Sequence, residues 1–185
     1  MVVVSNQLRI IGGQWRGRKL RFADGEGLRP TTDRVRETLF NWLQGSIAGA
    51  HCLDLYAGSG ALGLEALSRG AAEVVFWEKN PKAIQALRDN LTLLQSPCGE
   101  VVRGDTLQLL EGPARAFDVV FLDPPFGREL LQPSLDLLAS GGWLAPEARI
   151  YIEHARRGEG FTTPPGWELL RSKQAGQVAY HLATN

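Results

Sequence analysis

The sequence is poor in the side chains that bind metals or cycle electrons. Two cysteines, Cys52 and Cys98, occur in 185 residues, and neither belongs to a CxxC or other metal-ligand spacing. Both are expected to be reduced, structural thiols of a cytoplasmic protein. The three histidines, His51, His154 and His181, form neither a triad nor a metal spacing and are read as structural. No metal is expected. A run of about 18 apolar residues is also lacking, so no transmembrane helix and no membrane partner are expected. The opening MVVVSNQLR has no charged n-region or cleavage site, which argues against a signal peptide. What is present is ordinary globular material, 44% apolar and 22% charged, in a chain long enough for one domain with its own core. A single domain over 1–185, monomeric and cytoplasmic, is the expectation.

The chain also lacks net charge, which at first argues against a nucleic-acid partner. The distribution argues the other way. Residues 1–50 carry a balance of +4 and the remainder −4, and the first 21 residues hold five bases and no acid. That is a basic appendage (1–28) on a slightly acidic body (29–185), the pattern of a face that meets phosphate. A solvated arm would show the same charge.

LRIIGGQWRGRKLRF (8–22) reads as a glycine-linked hairpin that exposes arginines. In RPTTDRVRETLFNWL, Thr32 or Asp33 caps a helix with Val35, Leu39, Trp42 and Leu43 on one face. Strict alternation follows: a strand at 52–56, a helix from Ala61 to Arg69, and a strand at 73–78. A helix then opens at Asn80-Pro81, strands follow at 100–104 and 117–122, and a helix runs from about Glu129 to Ala139. A strand at 149–153 and a closing antiparallel hairpin around Ala175-Gly176 complete the chain. Apolar strands alternating with helices imply an α/β fold, a Rossmann-like, mostly parallel sheet covered on both faces.

In such sheets ligands bind beyond the carboxyl ends of the strands. The residues ending strands one to four are Asp54, Glu78, Asp105 and Asp123. Four acids along one edge are not a packing pattern. DLYAGSGALG places Gly58, Gly60 and Gly63 in the spacing GxGxxG, a weak signal for a dinucleotide. A dinucleotide loop turns directly from strand into glycine, whereas Asp54-Leu55-Tyr56-Ala57 intervenes here, and its acid would repel a pyrophosphate. A cationic ligand suits it better. S-adenosylmethionine fits: Asp54 would meet the ammonium end, Glu78 the ribose diol and Asp105 the adenine amino group. Gly58 and Gly60 would let the backbone approach the methionine part.

FDVVFLDPPF (117–126) ends an apolar strand on an acid and two prolines that cannot extend a ladder. The chemistry this suits is methylation of an exocyclic amino group, whose lone pair is delocalised into its ring. Asp123 and the carbonyl of Pro124, stiffened by Pro125, would accept the amino hydrogens and localise that pair. Phe126 would stack on an unpaired or flipped base.

DPPF after strand four and DLYAGSGALGLEALSRGA after strand one look like the amino-methyltransferases of nucleic acids. With RPTTDRVRETLFNWL and GGQWRGRKL, the whole chain resembles the bacterial RsmD family, which methylates the N2 amino group of a guanine in 16S ribosomal RNA. The resemblance implies a seven-stranded methyltransferase sheet of the S-adenosylmethionine-dependent class, S-adenosylhomocysteine as product, and a small ribosomal subunit as substrate. It assigns Asp54, Gly58, Gly60, Glu78 and Asp105 to the cofactor, with Ala57, Lys79, Thr106 and Asp123 beside them. Arg29, Pro30 and Thr31 would close over the methionine end. Asp123, Pro124, Pro125 and Phe126 would serve the base, Phe126 standing where Tyr is also common. Arg16, Arg18, Lys19 and Arg21 would grip rRNA phosphates over the site. Trp15 either stacks on a splayed base or plugs a local core. Two alternatives stay open from the residues alone: a DNA adenine-N6 methyltransferase, and a non-catalytic NAD- or RNA-binding module.

Overall fold

The computed structural model describes residues 6–25, 30–158 and 160–185. The basic arm forms an antiparallel pair, β1 (Gln7–Arg9) and β2 (Lys19–Arg21), with Leu8 facing Leu20. Helix α1 (Asp33–Trp42) starts at Thr32, whose hydroxyl accepts from the Val35 N–H. Then follow β3 (His51–Asp54), α2 (Ala61–Ser68), β4 (Glu73–Glu78), α3 (Pro81–Leu93) and β5 (Gly99–Arg103). Asn80 caps α3 by accepting from Lys82 and Ala83, with Pro81 at its first position, as read from the sequence. The second half holds α4 (Thr106–Leu110), β6 (Phe117–Leu122), α5 (Leu131–Ser140), β7 (Leu144–Ala155), β8 (Glu168–Ala175) and β9 (Val178–Thr184).

The seven-stranded sheet runs β5-β4-β3-β6-β7-β9-β8, with β5 to β7 parallel and the last two pairings antiparallel. Strand alternation sorts the core into two layers. Cys52, Val74, Phe76, Val119, Phe121 and Tyr151 face α1, α2 and α3. Leu53, Val75, Trp77, Val120, Leu122 and Ile150 face α4 and α5. The doubly covered Rossmann-like sheet expected from the sequence is therefore present. Gly63 is fixed by this packing, because a Cβ there would sit 2.2 Å from the Phe76 ring.

Several boundaries differ from the sequence reading. Helix α4 was not expected: its five residues, TLQLL, are too short for a periodicity signal. Helix α5 begins at Leu131 rather than Glu129, which has a positive φ of 51° incompatible with a helix. Strand β7 begins five residues early, at Leu144, and is interrupted by a register shift where Phe117 pairs Leu144 but Val119 pairs Arg149. Cys52 is buried and its thiol is pushed up to about 12 by burial and then by Asp118 and Asp54, so it is inert. Cys98 is exposed, so the structural reading holds for Cys52 only.

Candidate active site

The four acids end at one edge of the sheet but at two depths. Glu78 and Asp105 stand at the open edge, Asp105 capping α4 through the Leu107 N–H and lying 3.6 Å from Lys79 Nζ. Asp54 is 2% exposed, and Asp123 is half-buried. Alternation from Cys52 and Phe121 turns both inward toward the α1–α3 layer.

The glycine loop is built by the sheet. Leu55 N–H donates to Phe121, Ala57 N–H to Trp77, and Gly60 N–H turns back onto Ala57. Gly60 opens α2 in the left-handed region (φ 78°), and a Cβ there would lie 2.3 Å from a Leu87 methyl. Packing therefore accounts for glycine at 60, and Gly58 is left-handed too, at φ 52°. Glu78 is collared by backbone donors: Gly58 at 2.8 Å, Lys79 at 2.9 Å and Asn80 at 2.8 Å. Three of its roughly four lone-pair positions are taken, which leaves about one for a hydroxyl. Thr106 is buried and donates to the Leu55 carbonyl at 2.6 Å, tying α4 to the strand that carries the loop.

Burial pushes the Asp54 carboxyl from its ordinary 3.8 up to about 7; the Gly63 N–H at 3.2 Å opposes this and the Glu78 charge adds to it. A carboxyl whose proton is held more tightly in the native state stabilises the fold below pH 4 and loses that contribution as pH rises through 7. The contribution is on the order of 4 kcal/mol. Asp54→Asn keeps an acceptor for Gly63 and removes the titration, so its unfolding free energy is expected to fall less between pH 5 and pH 8 than that of the unsubstituted protein. An equal fall in the urea-unfolding free energy of both proteins between the two pH values would assign the loss to other groups.

After β6 the chain runs through Asp123, Pro124 and Pro125 to Phe126, which is 48% exposed. Among the described residues none donates to the Pro124 carbonyl. Thr31 lies over the acid, its hydroxyl 3.4 Å from Asp123 Oδ2, and its carbonyl accepts from buried Arg36 Nε at 3.2 Å. The segment before α1 thus reaches the strand-four acid itself; Pro30 is half-buried beside it, and Arg29 lies outside the described residues. Burial, then Glu153 and then Asp54 raise the Asp123 carboxyl well above the usual carboxylate range. Glu153, at the end of β7 and 5% exposed, escaped the sequence reading. The His154 and His181 rings stack on the opposite face of the sheet and take no part.

The hairpin is not over this edge. Helix α2 starts at the glycine loop and runs away from it, and the turn between β1 and β2 is bonded to its far end: Gln14 N–H to the Ser68 carbonyl and Trp15 N–H to Ser68 Oγ. Seven residues of helix put that turn about 10 Å below the loop. Arg16, Arg18, Lys19 and Arg21 are exposed, Arg18 reaching the Leu93 carbonyl at the far end of α3. Trp15 is half-buried against the α1–α3 core, so it is a local plug.

Fold and edge together define a Rossmann-like methyltransferase. The profile of the family described as Conserved hypothetical protein 95 matches residues 8–184. The ribosomal RNA small subunit methyltransferase D of Escherichia coli K12 is 53% identical over 96% of this chain and 90% of its own length. The protein of that name from Haemophilus influenzae is 47% identical over 97% and 94%. The solved structure of yhhF from Escherichia coli superposes with a TM-score of 0.91 at 50% identity, covering 97% of this chain and 98% of that one. The chain belongs to this family, the RsmD family.

Proposed function

We propose that the protein methylates the exocyclic N2 amino group of a guanine in 16S rRNA of the small ribosomal subunit, in the cytoplasm, using S-adenosylmethionine. The observation that carries this reading is the loop after β6, where a half-buried acid, a carbonyl to which no described residue donates and an exposed aromatic ring stand together beside the glycine loop. The relatives' naming as small-subunit rRNA methyltransferases supplies the substrate class.

The residues present suit that cofactor, whose sulfonium offers an electrophilic methyl group. Glu78 would use its remaining acceptor site for the ribose, and Asp105, held by Lys79, would take the adenine amino group. Gly58 and Ala57 would line the methionine part, whose ammonium end would favour the ionised form of Asp54 buried beneath them. Asp123 and the Pro124 carbonyl would accept the two amino hydrogens of the target, and Pro125 would hold the carbonyl in place. Phe126 would stack on the base, worth about 1–3 kcal/mol. Alignment of nitrogen and methyl group would supply much of the remaining acceleration. Arg16, Arg18, Lys19 and Arg21 would contact phosphates of rRNA running along the α2–α3 face, away from the reacting base.

The test is transfer of labelled methyl to three acceptors in parallel: small subunits lacking the modification, naked 16S rRNA and duplex DNA. N2-methylguanosine in a ribosomal acceptor is expected, with micromolar binding of S-adenosylmethionine and none of NAD. N6-methyladenine in DNA would overturn the substrate, and tight NAD binding would overturn the cofactor.

A further inference from the structure

The structure gathers more carboxyls than the amino-group chemistry uses. Strands β6 and β7 are parallel, with Leu122 opposite Ile152, so the next positions, Asp123 and Glu153, are cross-strand neighbours. Adjacent strands lie about 4.8 Å apart. Alternation from Phe121 and Tyr151, both in the α1–α3 layer, turns the two acids to the same face. Asp54, in the strand on the other side of β6, turns the same way. Among the described residues no Lys or Arg is bonded to any of the three. Three carboxyls at neighbouring strand ends cannot all carry charge cheaply.

The hydrogen bonds are unequal. Tyr151 Oη donates to Glu153 Oε2 at 2.6 Å, a bond that favours a charged Glu153. Thr31 has one hydroxyl hydrogen, and it points to Asp123, with the hydroxyl 3.4 Å from Oδ2. Other groups facing the pair are Asp54 from β3, Tyr180 from β9 and, behind the Thr31 carbonyl, the Arg36 guanidinium from α1. Burial raises the Glu153 carboxyl, opposed by its bond from Tyr151 and by the nearby Thr31 hydroxyl, whereas Asp123 is raised by burial and further by the Glu153 charge.

We propose that Glu153 is a positioning residue for Asp123: the two carboxyls, neighbours on adjacent strands, hold one proton between them in the free protein and release it when a cationic methyl donor binds beside Asp123. This rests on the methyltransferase reading of the site. Discharge leaves Asp123 an anion when the target arrives, able to accept an amino hydrogen. As the nitrogen lone pair forms the N–C bond, the pair of the breaking C–S bond stays on sulfur, and the positive charge moves to nitrogen. The nitrogen then carries one hydrogen too many, and Asp123 takes it as a proton. With sulfur neutral, the pair again holds one proton, and net charge in the site is balanced at each stage.

Calorimetric titration in buffers of different ionisation enthalpy at pH 7 counts protons released on binding. S-adenosylmethionine is expected to release roughly one proton more than S-adenosylhomocysteine, which has the same ammonium and carboxylate groups but a neutral sulfur. In Glu153→Gln, whose amide oxygen still accepts from Tyr151, that difference is expected to fall well below one proton, because burial still raises Asp123 but the Glu153 charge no longer does, and Glu153→Asp is expected to restore part of it. Binding of both ligands with equal proton counts in the unsubstituted protein overturns the proposal, whatever the variants do. A full difference persisting in Glu153→Gln overturns the role of Glu153. Absence of S-adenosylmethionine binding would instead overturn the cofactor reading on which the proposal rests.

Discussion

Asp123→Ala is expected to abolish methyl transfer while leaving S-adenosylmethionine binding within several-fold. The carboxyl is turned into the α1–α3 layer beneath Thr31, and the acids at the open edge are Glu78 and Asp105. Little net cofactor binding should therefore pass through Asp123, because at pH 7 its attraction to the sulfonium is offset by the cost of discharging its proton. Its acceptor matters as the amino lone pair localises, an interaction that strengthens toward the transition state and so appears in kcat. Loss of one such preorganised partner costs about 10²–10³ in rate, and loss of the proton acceptor adds to that. Asp123→Asn, which retains an acceptor oxygen but takes no proton, should fall between the two. Single-turnover rates and a binding isotherm on the same preparations decide the matter. Parallel loss of binding and rate would make Asp123 chiefly a cofactor ligand.

The legible parts of the fold were those encoded within one element. The Asn80-Pro81 cap, the face of α1 and the alternation of apolar strands need no knowledge of neighbours, and they placed the acids at a common edge. Depth at that edge was not legible. Asp54 and Glu78 both end strands, yet one is shut beneath α2 by the Gly63 N–H and the other is held open by three backbone donors. Glu153 was missed for a related reason. In RIYIE it reads as a solvated strand end, and only the pairing of β7 with β6 makes it a neighbour of Asp123. Alternation with Tyr151 was the available signal, once strand five was set beside strand four. The place of the hairpin also needed the direction of α2, which composition does not carry.

Glu65→Ala is expected to be the most damaging substitution outside the catalytic edge, costing about 3–5 kcal/mol. Glu65 is fully buried in α2, and its two oxygens accept four hydrogen bonds. Oε1 takes Gly12 N–H at 2.8 Å and Arg69 Nε at 2.9 Å; Oε2 takes Ile11 N–H at 2.9 Å and Arg36 Nη1 at 3.4 Å. Every lone pair is used, so one carboxylate joins the hairpin, α1 and α2. Removing it leaves Arg36, 1% exposed, with half-exposed Asp33 as its remaining carboxylate, and orphans two backbone donors that cost about 1–3 kcal/mol each if they stay dry. For a chain of this size the loss lowers Tm by about 6–20 °C. The double variant Glu65→Leu/Arg36→Met separates the terms: it removes the stranded charge and keeps the orphaned N–H groups, so it should recover part of the loss. Full recovery would assign the whole cost to charge burial, and a loss below 1 kcal/mol in Glu65→Ala would mean that water relieves the site. Arg36 also holds the carbonyl of Thr31, whose hydroxyl lies over Asp123. Glu65 variants that still fold should therefore lose rate as well, because the group that anchors the basic arm also steadies the roof of the catalytic acid.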